Sequence, residues 1–103
     1  MEKKELMIVN YSETPVTLNE LCEICHISSD TVSEYVSYAI IHPIGTSTNE
    51  WHFDLNQLQR MQTAMRLSRD LEINMQGVAM VLDLLDELNE LREQMQVFEK
   101  HYR

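Results

Sequence analysis

Apolar positions fall at helical spacing from residue 18 onward, where Leu18, Leu21, Cys22 and Cys25 make one face behind Thr17 and Glu20, which form a capping box. This predicts a first helix over about 18–25. His26-Ile27-Ser28 is a tight connection, and Ser28 or Ser29 caps a second helix whose inward face is Val32, Tyr35, Val36, Ala39 and Ile40. Two short helices joined by about three residues have the spacing of a helix-turn-helix. Ahead of them, residues 1–16 end in Thr14-Pro15-Val16 and carry an apolar run, Leu6 to Val9, short enough for a strand. They read as an N-terminal arm.

Downstream, Ile41-His42-Pro43-Ile44 and Glu50-Trp51-His52-Phe53 flank the turn-rich Gly45-Thr46-Ser47-Thr48-Asn49, which predicts a small β-hairpin, or wing. Asp54 then caps a third helix with Gln57 at the capping-box position. Its buried stripe is Leu55, Leu58, Met61, Met65 and either Leu67 or Leu71, and it ends near 71–73. Asn74 caps the last helix, about 75–100. There Val81, Leu84, Leu88, Leu91, Met95, Phe98 and Tyr102 alternate spacings of three and four, a three-heptad seam. No other segment is long enough to cover that seam, so it predicts a homodimer. The seam alone fits parallel and antiparallel pairing. The fold class is mainly α: a winged helix-turn-helix with a small hairpin and a long C-terminal dimerisation helix. The expected single domain, 1–103, divides into arm (1–16), winged helix-turn-helix with following helix (17–73) and coiled-coil-like helix (74–103).

Composition narrows the class. The 103 residues carry 17 Asp plus Glu against 8 Lys plus Arg, a net charge of -9. With only two Gly and two Pro, this is an ordinary globular composition. No apolar run approaches the roughly 18–20 residues of a membrane span, and Leu6 to Val9 is too short for a secretory signal, so the cytoplasm is the expected compartment.

Cys22-Glu23-Ile24-Cys25-His26 fits the c-type haem attachment pattern, which would need export. A redox pair normally opens a helix, whereas this pair closes one. Zinc would need two more ligands, for which His26, His42 and His52 are the candidates. Against these stands the reading of two core thiols. No nucleophile–base pair or phosphate loop is visible, so no catalytic residue, cofactor or metal is expected. His42 marks the start of the wing, and His52 faces solvent while its neighbours pack. Trp51 either packs over the adjoining helices or anchors an interface, and Tyr38 lies off the apolar face as an exposed anchor. Met61, Met65 and Met95 fall on the stripes expected to be buried, so core packing rather than an adaptable binding surface is their expected role. Gly77 weakens the last helix by up to about 1 kcal/mol relative to Ala, a cost that close approach of the third helix or of a second protomer would explain.

The two-helix turn, Trp51-His52-Phe53-Asp54, the stretch Arg66 to Asn74, Gly77-Val78-Ala79 and Asp83-Leu84-Leu85-Asp86-Glu87-Leu88, in that order, resemble the MerR-like family and, within it, its chaperone modulators. The resemblance covers about 16–100. It implies a cytoplasmic bacterial homodimer, paired antiparallel, that binds the J-domain of the DnaJ-like co-chaperone CbpA, blocks stimulation of the DnaK ATPase and tempers the DNA binding of CbpA. J-domains of this kind carry a basic second helix that docks on DnaK.

Charge separates this reading from a MerR-like transcriptional regulator. A recognition helix needs cations for phosphate. The exposed face of the second helix instead offers Asp30, Ser33, Glu34, Ser37 and Tyr38, and no Lys or Arg occurs between Lys4 and Arg60. Only Arg60, Arg66 and Arg69 could form a positive patch, unless they pair with Asp70, Glu72 or a partner. Direct DNA binding is therefore not expected. The candidate partner-binding residues are Glu20, Glu23, Asp30, Glu34 and Tyr38, with a solvated acidic face as the plain alternative. Asp83, Asp86, Glu87 and Glu90 form a competing acidic set.

Overall fold

A computed structural model describes residues 14–101. Leu6 to Val9 and Tyr102 lie outside the described residues. The elements in chain order are β1 (Val16–Thr17), α1 (Leu18–Cys25), α2 (Ser29–Ser37), a 3-10 turn (Thr48–Glu50), β2 (His52–Phe53), α3 (Leu55–Leu71) and α4 (Met75–His101). None of these helices is long and apolar enough to cross a membrane.

Each helix starts on a side-chain cap. Thr17 Oγ1 accepts from the Glu20 amide at 3.2 Å while Glu20 accepts from the Thr17 amide at 2.8 Å. Ser28, not Ser29, caps α2 by accepting from the Thr31 amide, and Asp54 accepts from that of Gln57. Asn74 accepts from Gly77 at 2.8 Å. The residues just before the caps and those at the fourth helical position form four pairs: Val16 and Leu21, Ile27 and Val32, Phe53 and Leu58, Ile73 and Val78. All belong to the core or pack against it, the arrangement of a hydrophobic staple at every helix start.

Several expectations are revised. Gln57 does not close a capping box; its Oε1 accepts from the His42 amide at 2.8 Å, tying α3 to the strap after α2. α2 stops at Ser37, so Ala39 is not on its inward face but exposed, with φ 59°. There the Ile40 amide donates to the Tyr35 carbonyl and the Ala39 amide to that of Val36, a Schellman stop that turns Ile40 into the core. Ile24 is buried on α1, while Leu18 and Cys22 are only partly so. On α3 the stripe continues through Ala64 and Leu67, leaving Leu71 55% exposed.

The wing is smaller than predicted. As strands its two sides pair only at Ile44 and His52, and β2 also pairs with β1, Val16 opposite Phe53 and Thr17 opposite His52. Val16 thus leaves the arm for the core, at 1% exposure. Gly45 has φ +114°, and a Cβ there would lie 2.7 Å from the Glu50 carbonyl oxygen, so the turn requires glycine. At Gly77, by contrast, the atoms nearest a Cβ belong to Ile73 and Asn74, the helix's own start, and not to α3.

Candidate partner-binding surface

α2 lays Asp30, Glu34 and Tyr38 one turn apart along one line, because its inward side is claimed by Val32 and Tyr35. All three are exposed, Tyr38 to 40%. Tyr38 is the C-cap, its amide donating to the Glu34 carbonyl at 3.2 Å, so the ring stands at the end of the acidic line. Glu23 is exposed on α1. Glu20 is different: its carboxylate is engaged in the capping box, which makes it a structural residue first. Neither α1 nor α2 has a basic residue in its last turn. An acidic line on a helix that carries no Lys or Arg, ended by an exposed phenol, can attract a basic surface.

The arginine patch does not assemble. Arg60, its side chain only 19% exposed, donates through Nε to the Ile40 carbonyl at 2.5 Å and through Nη1 to both Asp86 oxygens at 3.2 and 3.0 Å. Its Nη2 lies 3.8 Å from Asp83. Arg69 pairs with Asp70 at 3.1 Å. Asp83 and Asp86, half of the competing acidic set, are thereby partly neutralised inside the chain. Sequence reasoning missed this clamp because its two sides are 20 and 26 residues from Arg60. The only available signal was the alternation of Asp83 and Asp86 on one helix face.

One thiol is buried and the other packs, partly buried, against the core. Cys25 belongs to the core, and burial raises the Cys22 thiol above its ordinary pKa. Burial likewise raises the Tyr35 phenol, with Glu34 adding to the effect and a hydrogen bond to Ser68 opposing it. His26 is exposed in a left-handed C-cap at φ 58°. Trp51 packs against the core with its ring edge-on to Phe53 at 6.2 Å, and His52 is exposed, its Nδ1 2.7 Å from the Glu50 carbonyl oxygen.

The expected dimer seam has a definite setting. α4 buries Val78 and Leu82 against the body, Val81 is half-buried, and every residue from Asp83 to His101 is exposed. Leu84, Leu88, Leu91, Met95 and Phe98 are 42–61% exposed, with Met80, Leu85 and Val97 beside them. A contiguous apolar row of that length on a charged helix is the mark of a contact surface.

Residues 16–100 match the family of MerR HTH family regulatory proteins. The chain is 36% identical over 93 residues to a chaperone modulatory protein CbpM of Coxiella burnetii (strain Dugway 5J108-111), covering 90% of this chain and 88% of the relative. It is 35% identical over 77 residues to the CbpM proteins of Pseudomonas entomophila (strain L48) and Pseudomonas putida (strain W619), covering 75% of this chain and 76% of each.

Proposed function

The chain belongs to the MerR helix-turn-helix family and, within it, to the chaperone modulatory (CbpM) proteins, and from that premise we propose that it binds the J-domain of a CbpA-like co-chaperone through the outer face of α2. The observation that carries this is the line Asp30, Glu34 and Tyr38, exposed and with no Lys or Arg among the described residues before Arg60. Its sign suits the basic second helix of a J-domain and opposes DNA. Masking that helix prevents the J-domain from stimulating DnaK, and the same complex tempers the DNA binding of the co-chaperone. The protein carries out no chemical step, and it acts in the cytoplasm with its partner. The exposed α4 seam supports action as a homodimer through Val81, Leu84, Leu88, Leu91, Met95 and Phe98.

The test is titration calorimetry with the isolated J-domain at low and moderate salt. Binding that saturates, weakens with salt, and falls by roughly tenfold or more in Asp30→Lys/Glu34→Lys supports the reading, because close charge reversal at an interface costs at least about 1.4 kcal/mol. No heat at either salt from folded protein refutes it, and moves attention to nucleic acid and the exposed Arg66.

A further inference from the structure

Away from α4, the large apolar side chains left exposed among the described residues are Tyr38, Ile44 and Leu71. Two of these, Tyr38 at 40% and Ile44 at 56%, bound one short strap, residues 39–43, and neither belongs to the core or packs against it. The backbone of Ile44 is fixed: its amide donates to the His52 carbonyl at 2.8 Å, and its carbonyl accepts from the His52 amide at 3.0 Å. Residues opposite one another in such a pair point to the same side of a sheet, and Thr17 on β1 lies opposite His52 in turn. Thr17, His52 and Ile44 therefore form one exposed row on the outer face, while Val16 and Phe53 fill the inner one. Any residue with an amide proton could make the two backbone bonds, so packing within the chain does not account for an isoleucine there.

The strap between Tyr38 and Ile44 is pinned to the body. Ile40 and Ile41 are fully buried, the Ile40 carbonyl accepts from Arg60, and the His42 amide donates to Gln57. The loop behind Ile44 is held as well, with Glu50 Oε1 accepting from the Thr46 and Ser47 hydroxyls at 3.1 and 3.2 Å. Six residue steps keep Tyr38 and Ile44 within about 20 Å of each other, the length of a helix of about four turns. Side chains held on such a backbone lose little freedom on binding. The carboxylates of α2 and the wing, Asp30, Glu34 and Glu50, are all exposed, and no Lys or Arg lies among the described residues before Arg60.

We infer that Ile44 is a second anchor of the partner-binding surface, so that the docking helix of the partner lies across both α2 and the wing and carries an apolar side chain beside its basic ones. This rests on the proposed function for the identity of that partner. The carboxylates select a basic helix, and Ile44 adds contact that depends on shape rather than on charge. Covering the exposed part of Ile44, compared with the smaller and polar threonine, changes affinity by about five- to tenfold.

The test is titration calorimetry of the full-length chain and its Ile44→Val and Ile44→Thr variants with the isolated J-domain, at low and moderate salt. Both substitutions keep a β-branched side chain and the amide that bonds His52, so the wing is retained and Tm by circular dichroism stays unchanged. The expected result is an Ile44→Val affinity within about twofold of the parent and an Ile44→Thr affinity about five- to tenfold weaker, by the same factor at both salts. An Ile44→Thr variant that binds within about twofold of the parent overturns the inference, and so does a loss that shrinks with salt as a charge effect would. Unchanged J-domain affinity with a lower mass in sedimentation assigns Ile44 to a contact between copies and overturns it too. A parent chain that takes up no J-domain refutes the proposed function together with this inference, a result distinct from a parent that binds and a threonine variant that binds equally well.

Discussion

Ala39→Gly should stabilise this protein, although the same change inside a helix would weaken it. Ala39 sits at φ 59° in the Schellman stop of α2, and its side chain is exposed. A left-handed conformation costs a residue with a Cβ roughly 1–2 kcal/mol. Glycine removes that strain and keeps the bonds from the Ala39 amide to the Val36 carbonyl and from Ile40 to Tyr35, at 2.9 and 3.1 Å. Against this, the unfolded glycine chain gains about 0.4–1 kcal/mol of entropic stability. The net is a stabilisation of about 0.5–1 kcal/mol, equivalent to about 2–8 °C in Tm for a domain of this size. Thermal unfolding followed by circular dichroism measures it, at one fixed protein concentration because the proposed pairing of α4 would make Tm concentration-dependent. Ala39→Val, with a β-branched side chain at the same φ, should lower Tm. If α2 ran on through Ala39, glycine would cost roughly 0.8–1 kcal/mol instead, so a lowered Tm for Ala39→Gly refutes the helix stop itself.

Charging the seam with Leu88→Glu/Leu91→Lys should give single-chain mass in sedimentation with the body still folded; an unchanged two-chain mass would count against α4 as the dimer surface. Arg60→Ala should cost about 2–3 kcal/mol in urea unfolding, mostly from the charge-assisted bond to the Ile40 carbonyl, since the exposed aspartates add little; a loss under 1 kcal/mol would show that the clamp is loose in solution. Gly45→Ala should cost at least about 1 kcal/mol, from the positive φ and the clash with the Glu50 carbonyl, and equal stability would argue against this turn. Alkaline pH should destabilise the fold. The raised Cys22 and Tyr35 values mean that the folded state holds those protons more tightly, so their contribution is full below the ordinary values of 9.0 and 10.0 and falls as pH rises above them. Cys22→Ala should flatten the earlier part of that loss, and an unchanged profile would remove the thiol from it.

Much of the fold is legible locally. The caps Thr17, Ser28, Asp54 and Asn74 precede the four helices, and an apolar residue before each cap answers another at the fourth helical position, because the first turn of a helix satisfies its own amides from nearby side chains. The helix ends are harder to read. His26, Ala39 and Glu72 take left-handed conformations without glycine, so the usual stop signal is missing and the inward face of α2 extends too far on paper. The candidate surface shows the same division. Asp30, Glu34 and Tyr38 share a face by helical spacing alone, whereas Glu20 turns out to be held by its own helix start.

By itself the sequence determined the helix starts, the acidic face of α2 and the spacing of the α4 seam, since each depends on residues three or four apart. Only the tertiary structure decided that β2 pairs with β1 as well as closing the wing, that Gln57 serves His42, and that Arg60 joins Ile40 to Asp83 and Asp86. Those bonds join residues from 15 to 37 positions apart, with Asp83 alone 3.8 Å from Arg60 across the packed α3 and α4. No local preference selects such partners; they meet because packing Val16, Phe53, Leu58, Met61, Val78 and Leu82 into one core leaves these polar groups facing one another at its edge.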